Sequence, residues 1–136
     1  MAAQRMIPED FQTVHKIGEG SFSKVYLKTH SLDGQQYAVK VLKRQHDNDG
    51  DEAAKRIIAA TNREVRILVM CSHPSIIQFY ASMQTADDRM YVTEYCAGGD
   101  LASFMRLRRV IPIAAARYIT GDISHCPVTI VDSTLR

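Results

Sequence analysis

Three short strand-forming segments, joined by glycine-containing turns, open the chain, and this pattern limits its possible folds most. They cover residues 11–17, 24–28 and 37–42, and Asp33-Gly34 lies between the second and the third. The second segment alternates polar with apolar residues, which is typical of a half-buried strand. Asp-Gly is a hairpin signal. Three consecutive strands with tight connections predict an antiparallel meander.

The pattern changes after a polar stretch, because apolar residues then recur at intervals of three and four over residues 53–70. This spacing predicts a long helix, which His73-Pro74 ends because the residue before proline avoids helical angles. Further strands are predicted over residues 76–84 and 90–94, and further helices over residues 101–108 and 113–123. The order predicts an α+β lobe with a five-stranded antiparallel sheet and one packed helix.

Composition narrows the class of protein. The 136 residues are 46% hydrophobic and 24% charged with a net charge of +2, which excludes collagen-like, disordered and coiled-coil chains. The balanced charge predicts neither a nucleic-acid nor a membrane partner. No segment has the ~20 apolar residues that a membrane span needs. Three cysteines without a C-x-x-C pair predict neither a disulfide framework nor a zinc site, and favour a cytoplasmic location.

The first turn carries a phosphate-binding pattern. From Gly18 to Val25 the sequence reads Gly-Glu-Gly-Ser-Phe-Ser-Lys-Val between two predicted strands. Glycines let the backbone approach a phosphate closely, and turn amides can point at its oxygens. A strand follows, so this is not the dinucleotide fingerprint, and Gly-Lys-[Ser/Thr] of the P-loop is absent. For the motif alone, a plain hairpin turn is the alternative.

Lys40 and Glu64 form a candidate ion pair. Lys40 stands between apolar residues on the third strand and needs an anion if it is partly buried. The nucleotide phosphates and Glu64 are both available, whereas a solvated lysine is the alternative. Glu64 lies on the inward stripe of the long helix, and neither Arg63 nor Arg66 is three or four residues from it. Lys40 is therefore the better partner.

The segment from Glu94 to Leu101 leaves a strand, becomes extended and enters a helix. Its free backbone groups can read a purine edge, and Asp100 can accept from ribose hydroxyls or cap the helix. A simple linker is the alternative.

Together these motifs resemble the N-terminal lobe of a eukaryotic protein kinase over residues 11–123. The loop and an Ala-Arg-Tyr-Ile-x-x-Asp-Ile stretch resemble the AGC group of serine/threonine kinases, phosphoinositide-dependent kinases in particular. The resemblance rests on the glycine loop, Ala38-Val39-Lys40, Arg63-Glu64-Val65, His73-Pro74 and the hinge over residues 90–101.

The resemblance implies ATP as the cofactor, with Mg²⁺ in the complete enzyme. Lys40 would hold the α- and β-phosphates and pair with Glu64, and Leu68 and Phe79 would belong to the regulatory spine. Thr93 would be the gatekeeper. The loop over the phosphates would consist of Gly18, Gly20, Ser21, Phe22 and Ser23, and adenine would pack between Ile17, Val25 and Ala38. The Glu94 carbonyl and the Cys96 amide and carbonyl would bind the polar edge of adenine. Asp100 would bind the ribose.

The sequence also departs from the family. Ser23 replaces a third glycine, as in the named subfamily, and residues 47–51 lengthen the loop after Lys40. Neither the H-R-D nor the D-F-G motif that phosphoryl transfer uses is present. We therefore expect an incomplete kinase fold that is inactive alone. Residues 1–10 would form an N-terminal extension and residues 11–95 the N-lobe. Residues 96–123 would form the hinge and the first C-lobe helices, and residues 124–136 a tail unlike the family.

Three hypotheses remain open at this point. The chain is the front of an active serine/threonine kinase, whose protein substrate only the complete enzyme would bind. Alternatively, it is a half-kinase that binds nucleotide or partners without catalysis. The third hypothesis is a nonfunctional product that cannot hold a fold.

Overall fold

The computed structural model describes residues 6–20, 23–43, 52–108 and 110–125. Five strands form one antiparallel sheet in the order β1-β2-β3-β5-β4. This confirms the predicted five-stranded sheet with helices. After a 3-10 turn at Pro8–Asp10, the elements are β1 (Phe11–Glu19), β2 (Ser23–His30), β3 (Gln36–Lys43), α1 (Glu52–Met70), β4 (Phe79–Gln84), β5 (Asp88–Glu94), α2 (Leu101–Arg108) and α3 (Ile113–His125).

Alternate residues of the central strand β3 point to the two opposite faces of the sheet. Residues directly opposite one another in an antiparallel ladder point to the same side. Val39 is opposite Val92, and the next residue, Lys40, is opposite Val25 on one neighbour and Tyr91 on the other. We call these two sides the Val39 face and the Lys40 face.

The hydrophobic core lies on the Val39 face. Val39 and Val92 are fully buried there, and partly buried residues such as Val41 and Met90 pack around them. Because successive strand residues alternate between faces, burying Val39 in the core turns Lys40 away from it. The buried members of the core cluster are Phe11, Tyr37, Val39, Met83 and Val92.

Helix α1 packs on the Lys40 face. The hydroxyl of Tyr91 on β5 donates to the side-chain oxygen of Asn62 at 3.1 Å, and Thr61 beside it is buried. Leu42, on the same face of the sheet, is only 2% exposed. The half-buried side chain of Leu68 continues the predicted inward stripe. The apolar periodicity of the helix thus matches the surface on which it lies.

A polar cluster holds the turn between β2 and β3. Asp33 accepts from the backbone amide of Gln35 at 2.8 Å and from the hydroxyl of Tyr37 at 2.9 Å. Nδ1 of the fully buried His30 lies 3.1 Å from the same carboxylate. Burial and the neighbouring Asp33 carboxylate raise the pKa of Tyr37 to about 12. Gly34 has φ 69°, which suits glycine, so the predicted Asp-Gly turn is present.

Every strand has at least one boundary that differs from the sequence prediction by one to three residues, and β1 and β4 show the physical reasons. β1 extends two residues further, because Gly18 pairs with Val25 and Glu19 pairs with Lys24. β4 begins at Phe79 rather than at residue 76, because His73 organises a turn before it. The carbonyl of His73 accepts from the amide of residue 76 at 3.0 Å, and its Nδ1 accepts from that of residue 75 at 3.1 Å. Residues 47–51, and a strand considered at 128–131, lie outside the described residues.

Helices α2 and α3 follow the sheet as predicted, and α3 continues to His125. Helix α2 has no buried residue, and Met105 on it is half exposed. None of the described helices combines the length and apolarity needed to cross a membrane.

The burial of Leu42 gives a test of the packing. We expect Leu42→Ala to lower the free energy of unfolding by about 2–5 kcal/mol, because it leaves a cavity. Leu32, which is 61% exposed, provides the matched control. Leu32→Ala should change stability by less than about 0.5 kcal/mol in urea titrations followed by circular dichroism. Equal effects of the two substitutions would contradict this packing.

Candidate functional site

The turn between β1 and β2 is closed by one backbone hydrogen bond. The amide of Gly20 donates to the carbonyl of Ser23 at 2.8 Å. A Cβ added to Gly18 would lie 3.5 Å from Cβ of Val25, an ordinary contact distance. The local packing therefore does not itself require glycine at Gly18. The predicted loop residues Ser21 and Phe22 lie outside the described residues.

The structure brings Lys40 of β3 and Glu64 of α1 together. Nζ of Lys40 lies 3.2 Å from Oε2 of Glu64. The Lys40 side chain is 33% exposed and that of Glu64 is 59% exposed. An ion pair this open to water contributes about 0–1 kcal/mol to stability. Its main consequence is positional, because it holds the ammonium group above the open part of the Lys40 face.

An apolar surface adjoins this ammonium group. Val25 is opposite Lys40 in the ladder, Ala38 is opposite Thr93, and all four share the Lys40 face. Val25 and Ala38 are half-buried. Ile17 lies at an irregularity of β1 and is 40% exposed. A flat apolar group thus has a surface to pack on beside a positive charge.

The segment after β5 is held to the strand before it. The amide of Glu94 donates to the carbonyl of Gln78 at 2.8 Å, and its carboxylate accepts from the Gln78 amide at 3.2 Å. Beyond it, Cys96 is exposed, and its carbonyl accepts from the Gly99 amide at 3.1 Å. The predicted extended segment therefore contains a turn, which Gly99 permits with φ 75°.

Asp100 caps helix α2. One carboxylate oxygen accepts from the Ser103 amide at 2.7 Å, and the other accepts from the Ser103 hydroxyl at 2.8 Å. These hydrogen bonds from Ser103, chiefly that of the backbone amide, hold the pKa of Asp100 below its ordinary value. The cap expected from the sequence is present.

Sequence reasoning missed two contacts that position the site. The hydrogen bond between Tyr91 and Asn62 ties α1 to β5, and its only signal was that Asn62 adjoins the inward residue Thr61. The Thr93 hydroxyl also lies within 3.5 Å of the Ala38 carbonyl, which links β5 to β3. Among the described residues, no three His, Cys, Asp or Glu side chains gather closely enough to hold a metal ion.

Comparison with known proteins identifies the family. Residues 11–126 match the family model described as the protein kinase domain. Similar proteins include the serine/threonine-protein kinase ATG1a of Arabidopsis thaliana (34% identical over 85% of this chain), Sgk3 of Rattus norvegicus (34% over 86%) and the cAMP-dependent protein kinase type 3 of Saccharomyces cerevisiae (31% over 84%).

The chain belongs to the protein kinase family. The likeness to AGC-type serine/threonine kinases predicted from its motifs is confirmed by Sgk3 and the cAMP-dependent protein kinase, whereas the narrower subfamily stays a prediction. The chain spans 17%, 23% and 27% of the lengths of the three relatives named.

The lowered pKa of Asp100 gives a pH test. Its carboxylate stabilises the start of α2 fully above the ordinary aspartate pKa of about 3.9 and loses this effect as pH falls through the lower folded-state value. We expect the Ser103 amide resonance in NMR spectra to titrate with a midpoint below that ordinary value. In Asp100→Asn the same resonance should not titrate over this range. A wild-type midpoint at or above the ordinary value would contradict the cap.

Proposed function

We propose that this chain binds ATP on the open part of the Lys40 face. The observation that carries the proposal is the placement of Lys40, held 3.2 Å from Glu64, on the same face as Gly18 and Val25. The cation beside the glycine turn can bind the phosphates of a nucleotide, and the apolar surface next to it can bind the base. Membership of the protein kinase family supports the same ligand.

The phosphates would lie between Lys40 and the turn from Gly18 to Ser23. An ammonium group has three donors, and the contact with Glu64 leaves donors free for phosphate oxygens. Gly18 and Gly20 carry no side chain above the turn, and the amides of residues 21–23 are proposed to cover the phosphates. The role of Glu64 is to orient the lysine.

Adenine would pack against Ile17, Val25 and Ala38, with Thr93 at the back of the pocket. Its polar edge would meet the Glu94 carbonyl and the amide and carbonyl of Cys96. The Cys96 carbonyl already accepts from Gly99, but a carbonyl oxygen has two lone pairs and can accept again.

The ribose would lie near Asp100. Both carboxylate oxygens of Asp100 accept from Ser103, and each has a further lone pair for a ribose hydroxyl. The same residue can therefore cap α2 and contact the sugar. A loss of the cap would then weaken nucleotide binding as well.

Our proposal for this chain stops at binding. Kinases transfer the phosphoryl group of ATP with a catalytic-loop aspartate and with Mg²⁺ held by a D-F-G aspartate, and the 136 residues contain neither motif. We propose that transfer to protein serine or threonine belongs to a complete enzyme, in which residues 11–95 form the N-lobe and 96–123 begin the C-lobe. A half-kinase that binds nucleotide or partners without catalysis is the alternative.

Cys71 and Cys96 are free thiols, which fits the proposed cytoplasmic location.

Calorimetric titration of the full chain tests the proposal. We expect saturable ATP binding that Lys40→Met weakens about tenfold or more, because a charge-assisted contact to phosphate is lost. Adenosine, which has no phosphate, should bind the wild type and Lys40→Met alike. ATP at about one hundred times its Kd should stabilise the wild type by about 2.7 kcal/mol, seen as a higher Tm.

Lys55→Met provides the matched control, since Lys55 pairs with Glu52 at the start of α1 and is 62% exposed. It should leave the ATP affinity unchanged. No binding of ATP by the wild type, or equal affinities of wild type and Lys40→Met, would overturn the proposal.

A further inference from the structure

A second concave surface includes side chains of the Val39 face. It is a groove of about 610 Å³ that Gly20 and Ser23 of the glycine turn, Leu42, and Ile57 and Ile58 of α1 also line. Lys28 is opposite Tyr37 and Lys24 is opposite Val41, so both point away from the Lys40 face. We name this surface the lysine groove. Its charged lining residues are Lys24, Lys28, Lys43, Glu19 and Asp88, and Tyr26, Val41 and Met90 provide apolar surface.

Lys28 is the least usual residue of the lysine groove. Its side chain is half-buried, and burial lowers the pKa of Lys28, an effect that the charge of Asp88 partly offsets. In the described part of the chain its ammonium group makes no hydrogen bond or ion pair, and lies 6.0 Å from the centre of the Tyr26 ring. Asp88 thus acts on this partly desolvated ammonium group without forming an ion pair with it, and a further anionic partner would offset the cost of its burial.

The other two lysines add to the positive charge. Lys24 is 3.7 Å from Glu19, but Glu19 also pairs with Lys16. Lys43 is exposed and opposite Asp88 in the ladder, yet within the described ranges it forms no ion pair. The lysine groove therefore has three lysines against two carboxylates, those of Glu19 and Asp88, and among the described residues neither Lys28 nor Lys43 forms an ion pair.

The spacing of these lysines favours an extended ligand. Lys24 and Lys28 are four residues apart on one strand, about 13 Å at 3.3 Å per residue. One phosphate group is too small to bridge that distance. Side chains on one side of an extended peptide recur every ~6.6 Å, so acidic residues four apart would match both lysines. Tyr26, Val41 and Met90 offer apolar surface between them.

We propose that the lysine groove binds an extended acidic segment of a partner protein. Its acidic side chains would meet Lys24 and Lys28, and its apolar side chains would pack on Tyr26 and Val41. Strand alternation places the side chains of Lys24 and Lys28 on the face opposite Lys40, although Gly20 and Ser23 of the proposed phosphate-binding turn also line the groove. Loss of either binding activity can be measured without loss of the other.

Fluorescence anisotropy with a labelled peptide of two Glu-Ser-Val-Ser repeats tests the proposal on the full chain, because its Glu and Val side chains alternate along one side of an extended strand. We expect saturable binding that weakens with added salt, and no binding of a Gln-Ser-Val-Ser peptide of the same length. Lys24→Gln/Lys28→Gln should weaken binding about tenfold or more. The control variant Arg106→Gln/Arg117→Gln loses the same number of positive charges, one on α2 and one on α3. Its affinity for the peptide should stay within about twofold of the wild-type value.

Two further readouts separate charge effects from misfolding. ATP affinity should be unchanged in Lys28→Met, which keeps the length of the side chain and lies outside the glycine turn, while its affinity for the peptide should fall. The Tm of both lysine variants should be unchanged. Absence of peptide binding, or equal losses in the lysine and arginine variants, would overturn the proposal. Binding only of inorganic phosphate, or only of phosphatidylserine vesicles with the same lysine dependence, would overturn it as well.

Discussion

The register of β3 is the constraint on which the rest of the structure depends. Val39 is fully buried against Val92, so the alternation of strand residues fixes Lys40 on the other side, between Val25 and Tyr91. A slip of one residue would bury the ammonium group in the core and expose the valine. Because that exchange would be costly, the register that keeps Lys40 on the open face of the sheet is strongly favoured.

The position of α1 then determines where that cation points. Glu64 can reach Lys40 only while the helix lies on the sheet, and the hydrogen bond from Tyr91 to Asn62 is one contact that holds it there. The ion pair itself is exposed and contributes little to stability. A movement of α1 would therefore change the orientation of Lys40 without unfolding the sheet, and it would also shift Ile57 and Ile58, which line the lysine groove.

Much of this arrangement could be predicted from the sequence. Alternation, turn residues and helical periodicity predicted the strands and α1, because each depends on local pattern. The pairing of Lys40 with Glu64 is not local, and it was predicted because Glu64 has no partner three or four residues away on its own helix. The late start of β4 depends on the side chain of His73, and the turn at Cys96 depends on a backbone bond to Gly99. The lysine groove depends on how three strands lie side by side, which no local pattern encodes.

The central claim is that Glu64 acts on the nucleotide through Lys40, and a double-mutant cycle tests it most directly. The ATP affinity is measured for the wild type, Lys40→Met, Glu64→Gln and the double variant. We predict that Glu64→Gln weakens ATP binding in the wild type but has no further effect once Lys40 is replaced, while stability changes by less than about 1 kcal/mol. Independent, additive losses of ATP affinity would contradict the account.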